Sequence, residues 1–189
     1  MLGTVKHFFG DGATLYGANQ GNAAVGSFDK FIEHNIQGFN GSIRTGMATV
    51  MPSFSGINFI PLSEGSYIKK ILRDDLDFDG FVISDYDAIN YCAVQGLPAS
   101  FGRMRQNEST FTMFSSGVDM FLMGQKASLI EYVKIVKEGI LNNSIDEREL
   151  DFSVTKILAV KLAFGLVKKN ENLKASLRED LPKVEKGPL

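Results

Sequence analysis

Asp85 follows directly on Phe81-Val82-Ile83-Ser84, a mostly apolar segment of the kind that lies buried as a strand. A carboxylate at the carboxyl end of such a strand is held rigidly by the sheet. It faces the mouth where parallel α/β folds bind their ligands. That placement suits a nucleophile in line with a reacting carbon. It also suits an Asp that caps the following helix, a frequent task at strand-to-helix turns. Asp87, two residues on, is the better candidate for the cap. Lys6 and His7 form a second group. On a regular strand, neighbours point to opposite faces, so both reach one site only where the strand ends and the backbone bends. Together they would grip hydroxyl groups; apart, they read as a surface lysine and a satisfied core histidine. Gly10-Asp11-Gly12 reads as a turn and carries no G-x-G-x-x-G fingerprint. Asp119 is expected inside a strand, where a buried carboxylate needs a hydrogen-bond donor, and His34 inside a helix; both read as structural.

Four β-like runs must position these groups: 3–9, 48–51, 80–84 and 117–123. The last three are mostly apolar rather than alternating, as in strands covered on both faces. Helical spacing lies between and after them. Phe28, Phe31, Ile32, Ile36, Phe39 and Ile43 predict one helix after Ser27 as N-cap. Ser66 would cap a second with Ile68, Ile71, Leu72 and Leu76. A third falls near 108–116, and a fourth carries Leu129, Val133, Val136 and Ile140. Asp146 and Glu149 read as a capping box that opens a fifth, which Gly165 would stop. The methionine-rich stretch from Met113 to Met123 reads as core filling. The order β-α-β-α-β-α-β-α-α implies parallel strands joined by crossovers. A full (β/α)₈ barrel needs about 250 residues and eight strands. The expected fold is therefore a small open α/β sheet or a partial barrel of about four βα units.

The 189 residues hold 44% apolar and 22% charged side chains with a net charge of −2, ordinary for a globular domain and unlike a disordered or fibrous chain. One cysteine, Cys92, excludes an internal disulfide and a multi-thiolate zinc site, and two histidines leave little for a histidine-rich metal site. No basic stripe supports nucleic-acid binding. No apolar run is long enough for a membrane span, and no secretory signal is expected at Met1 to Gly10. The charged stretch 167–189 reads as a linker helix leading out of a domain at 1–166.

Several segments resemble glycoside hydrolase family 3, in the second half of its (β/α)₈ domain. They are Lys6-His7-Phe8-Phe9-Gly10-Asp11-Gly12-Ala13-Thr14, Thr49-Val50-Met51 leading to Leu72-Arg73, and Asp79-Gly80-Phe81-Val82-Ile83-Ser84-Asp85-Tyr86. Gly117-Val118-Asp119-Met120 and Ile157 to Gly165 fit in the same order. The stretch Gly12 to Gly17 leans toward exo-acting β-glucosidases and β-glucan glucohydrolases.

The resemblance implies that Asp85 is the catalytic nucleophile of a retaining β-glycosidase. Lys6 and His7 would bind sugar hydroxyls, with Asp11 supporting their loop and Met51 and Phe54 lining the site. Tyr86 stands where relatives carry a tryptophan at the +1 subsite, and Phe54 where they often carry a tyrosine. The N-acetylglucosaminidase branch fits less well, because Asp11 stands where its pattern has a histidine. The implied substrate is a β-glucoside or β-glucan oligosaccharide, with no cofactor and no metal. The resemblance places the acid/base in a C-terminal sandwich domain, and further sugar ligands in the other half-barrel, both outside this chain. Glu64 and Glu108 are weak local alternatives. An extracellular, periplasmic or lysosomal compartment follows from kinship alone. The competing expectations are a non-catalytic barrel remnant that binds carbohydrate or another chain, and an unrelated α/β enzyme binding phosphate at Gly10 to Gly12.

Overall fold

The computed structural model describes residues 2–63, 65–90 and 106–167. In chain order its elements are β1 (Thr4–Phe8), β2 (Asn22–Ala23), α1 (Phe28–Asn35), α2 (Gln37–Arg44), β3 (Thr49–Pro52), β4 (Gly56–Ile57), β5 (Ile60–Pro61), a π-helix (Ile68–Asp75), β6 (Phe81–Val82), α3 (Gln106–Ser115), α4 (Lys126–Leu141) and α5 (Glu147–Ala163). The apolar runs form a parallel sheet in the order β1-β3-β6. Val5 pairs with Val50 and Val50 with Val82, and the register shifts between Lys6 and Phe8. Helices follow the strands, so the chain is a partial α/β barrel, as expected.

The fourth run shrinks to a single bridge, Ile83 with Met120. The N–H groups of Asp119 and Met120 both donate to Val82 O at 2.9 Å, so two residues face one and the ladder is disrupted, as in a β-bulge. A second small sheet, β2-β4-β5, was not legible in the sequence. Its strands are two residues each, too short to show a period.

Side chains with almost no exposure fill the main core: Phe8, Phe9, Val50, Ile68, Ile71, Leu72, Val82, Met113 and Val118. Phe8 meets Phe39 edge-on at 5.2 Å and Phe9 lies 5.5 Å from Phe31, which fixes α1 and α2 against β1. A smaller core of Ala48, Phe81 and Val160 seats α5 at the amino ends of the strands. A third joins α3 and α4 to the turn before α5 through Phe114, Val136 and Ile145, with Leu150 of α5 packed against it.

The helices depart from expectation in detail. The predicted 28–43 helix divides at Ile36, although Ile36 N–H still donates to Ile32 O and Asn40 N–H to Ile36 O. Gly38 and Gly41 lower helix propensity just beyond the break. Ser27 occupies the N-cap position without a side-chain cap bond. The second helix is capped in position by Tyr67 rather than Ser66, and it is wound as a π-helix, with Leu76 N–H donating to Ile71 O. On α4 the buried residues are Ser128, Ile135, Val136 and Gly139, so Leu129 and Val133 face solvent instead of the core. At α5, Asp146 caps by accepting from Arg148 N–H, but Glu149 pairs with Lys69 at 3.2 Å instead of closing the box. Gly165 has φ +71° and ends the helix as expected. The expected linker from residue 168 onward and Cys92 lie outside the described residues. No helix of the described residues is long and apolar enough to cross a membrane.

Candidate active site

The carboxyl ends of β1, β3 and β6 converge on one rim. His7, next to last in β1, directs Nε2 at Asp85 Oδ2 (3.6 Å) and Nδ1 at Asp11 Oδ2 (3.8 Å). Both separations lie within ion-pair reach and beyond a hydrogen bond. Asp85 Oδ1 accepts the N–H of Tyr86 at 2.6 Å, and its main-chain carbonyl accepts Ala88 N–H. The side chain is 18% exposed. Asp85 therefore sits at the rim beside His7, with Oδ2 not taken up by any hydrogen bond among the described residues.

Asp87 does not cap the short helical turn that follows. It is buried at φ +55°, and its Oδ1 accepts Gly124 N–H at 3.3 Å across the rim. The expected cap fails because Asp87 N–H is drawn to Leu122 O, which turns the residue toward the next segment.

Asp11 is fixed from the segment that follows β3. Its Oδ1 accepts the hydroxyls of Ser53 (2.5 Å) and Ser55 (2.8 Å), and Ser55 N–H donates to Ser53 Oγ. Ser55 was not singled out by sequence reasoning. The signal was present, since residues two apart on an extended segment share a side. Gly10 makes the turn possible: at φ +95°, a Cβ there would lie 2.6 Å from the Phe31 ring.

Lys6 is exposed, and among the described residues no hydrogen bond or ion pair holds it. Met51, opposite Lys6 in the register, is 9% exposed, and Phe54 packs partly buried against the main core. Tyr86 is 54% exposed, with its ring over Gly124, where a Cβ would fall 2.0 Å from the hydroxyl. The structure thus gathers His7, Asp11 and Asp85 directly and leaves Lys6 and Tyr86 open to solvent. Glu64 and the side chain of Glu108 lie outside the described residues. His34 is structural, with Nδ1 against Lys30 O at 2.7 Å. Among the described residues no cluster of His, Cys, Asp or Glu could hold a metal ion.

Asp119 lies at the opposite, amino end of the strands. Its carboxylate accepts from Arg73 (2.7 Å), Val82 N–H, Ser153 and Lys156 (2.8 Å each). Burial pulls the Arg73 and Lys156 cations below their usual ranges, and the Asp119 charge opposes that shift. A groove of about 500 Å³ opens beside this network. Its cations are already matched, since Lys69 pairs with Glu149 and Arg148 with Asp146. The groove belongs to the floor that carries α5, not to the rim.

Residues 1–160 match the family model described as Glycosyl hydrolase family 3 N terminal domain. A β-xylosidase of Formosa agariphila is 29% identical over 88% of this chain and 23% of its own length. A probable β-glucosidase C of Aspergillus oryzae is 29% identical over 85% of this chain and 26% of its own. The crystal structure of a β-glucosidase from Listeria innocua in complex with glucose superposes with a TM-score of 0.75 at 25% identity, covering 88% of this chain and 22% of that one. The chain thus spans about a quarter of the length of these relatives. With a family model covering most of the sequence and the same fold in a solved relative, this chain belongs to glycosyl hydrolase family 3.

Proposed function

We propose that the rim carries the nucleophile half of a retaining β-glycosidase site, acting on a β-glucoside or β-glucan oligosaccharide. One observation carries this reading: Asp85 Oδ2, at the carboxyl end of a parallel strand and 3.6 Å from His7, takes no hydrogen bond among the described residues. In the reaction, Asp85 attacks the anomeric carbon as the bond to the leaving oxygen breaks. A covalent glycosyl-enzyme forms, and water then hydrolyses it, returning the carboxylate. His7 and Lys6 bind hydroxyls of the reacting sugar. Ser53 and Ser55 hold Asp11, and Asp11 orients His7. Retention requires a second carboxyl group about 5–5.5 Å from the first. We assign that acid/base to a part of the site outside this chain, and a compartment outside the cytoplasm to the same family reading.

A 2-deoxy-2-fluoroglucoside with a dinitrophenolate leaving group tests the assignment. So acidic a leaving group departs without a general acid, so glycosylation needs only the nucleophile. Peptide mapping by mass spectrometry is expected to find the label on Asp85 and none in Asp85→Asn. Carbohydrate binding without labelling would instead establish the non-catalytic alternative.

A further inference from the structure

Two exposed aromatic side chains, on loops that continue from the rim segments, occupy backbone positions that favour glycine. β4 and β5 are joined by the turn Asn58-Phe59, whose φ values of 48° and 67° are both left-handed. Two-residue hairpins of this kind select Asn-Gly, because glycine adopts the second position without a Cβ clash. Here that position is Phe59, 57% exposed. For a bulky residue such a backbone is an outlier that its surroundings must impose.

They do impose it. Phe59 N–H donates to Asn22 Oδ1 at 2.6 Å. Asn58 accepts Val25 N–H at 2.7 Å and donates back to Val25 O at 3.1 Å. Asn22 gives its carbonyl to Phe59 while its own buried amide nitrogen has no acceptor among the described residues. Tyr16 repeats the pattern, with φ 58° and a fully exposed side chain. Neither ring belongs to a hydrophobic core. The two loops are tied together, because β2 pairs with β4 and Gly56 N–H donates to Gly21 O at 3.0 Å. Each leads directly out of the segments that supply Asp11, Ser53 and Ser55.

We propose that Phe59 and Tyr16 form an aromatic platform for sugar units of a β-linked gluco-oligosaccharide beyond the unit held at Asp85. The inference rests on the glycosidase reading above. A pyranose presents an apolar face of C–H groups, and an exposed ring held rigidly stacks on it with little loss of side-chain entropy. Neither ring fills a hydrophobic core, so glycine would relieve the turn and leave the cores unchanged.

Calorimetric titration of the full chain with glucose, then tri- and hexasaccharides of β-1,3- and β-1,4-linked glucose, tests the platform, with thermal melts in parallel. Affinity is expected to rise with length for one linkage series. Phe59→Gly should raise the melting temperature, leave glucose binding unchanged and weaken the hexasaccharide about tenfold. Tyr16→Gly should act in the same direction, and Phe59→Trp should retain the gain with length. Glucose binding with no gain from length, or a gain that survives Phe59→Gly, overturns the platform and leaves the glycosidase reading standing. A chain that binds no carbohydrate overturns both.

Discussion

Asp119 shows at the residue scale how one carboxylate can organise a fold while another serves chemistry. Its side chain is 1% exposed and takes four donors, two of them cations. A buried charge cluster of this kind is stable only as a whole, because removing one member leaves its counter-ions desolvated and unmatched. Asp119→Ala is therefore expected to cost about 3–5 kcal/mol in urea unfolding. Lys156→Met in the same background should recover part of that loss, since one orphaned cation is then gone, whereas Arg73 keeps its bonds to Phe78 O and Gly80 O. Asp85 is the opposite case, with one oxygen bonded to a neighbouring N–H and the other without a hydrogen bond among the described residues. A stability effect of Asp85→Asn comparable to that of Asp119→Ala would argue that Asp85 is architectural.

At the scale of elements, β6 is set by a close approach and α4 by a buried phenol. A Cβ on Gly80 would meet Ala48 O at 2.2 Å and the Phe78 ring at 2.6 Å. Backbone cannot yield as a side-chain tip can, so Gly80→Ala must displace β6 from β3. We expect a loss of several kcal/mol, on the order of the worst overpacking costs, read as a lower urea midpoint. On α4, Tyr132 packs 4.9 Å from Phe121, and burial pushes its phenol up to about 12. The unfolded chain releases that proton from about pH 10, so between 10 and 12 the unfolded state binds fewer protons than the folded one. Stability then falls as pH rises, by on the order of 2–3 kcal/mol across the window. Tyr67 is shifted in the same direction. Lys156, lowered by burial, contributes the opposite slope just below its ordinary 10.5. Urea midpoints through this range should decline less steeply for Tyr132→Phe, which keeps the ring.

For the whole molecule, the sheet ends at β1 on one side and at the Met120 bridge on the other among the described residues. Leu129, Ile130, Val133 and Leu141 on α4, and Phe152, Val154 and Leu158 on α5, are exposed. Unpaired edges together with apolar helix faces favour association. Size-exclusion chromatography of the chain is expected to show self-association or aggregation; a sharp monomer peak with a cooperative melt would refute this.

The order of apolar runs and helical spacings was enough to place three parallel strands, the helix after each, and a turn at Gly10-Asp11-Gly12. These rest on local periodicity, which a sequence displays directly. The motifs around Lys6-His7 and Asp85 likewise carried the family in their own residues. The convergence on Asp11 was not legible as such, since Ser53 and Ser55 lie 42 and 44 residues from it. Three features became visible only in three dimensions: the partners of Asp119, the accessory sheet β2-β4-β5, and the left-handed seats of Tyr16 and Phe59. Each depends on contacts between segments dozens of positions apart, or on a backbone angle that the residue's own preference opposes. No local pattern encodes either one, because the free energy that enforces them comes from elsewhere in the packed chain.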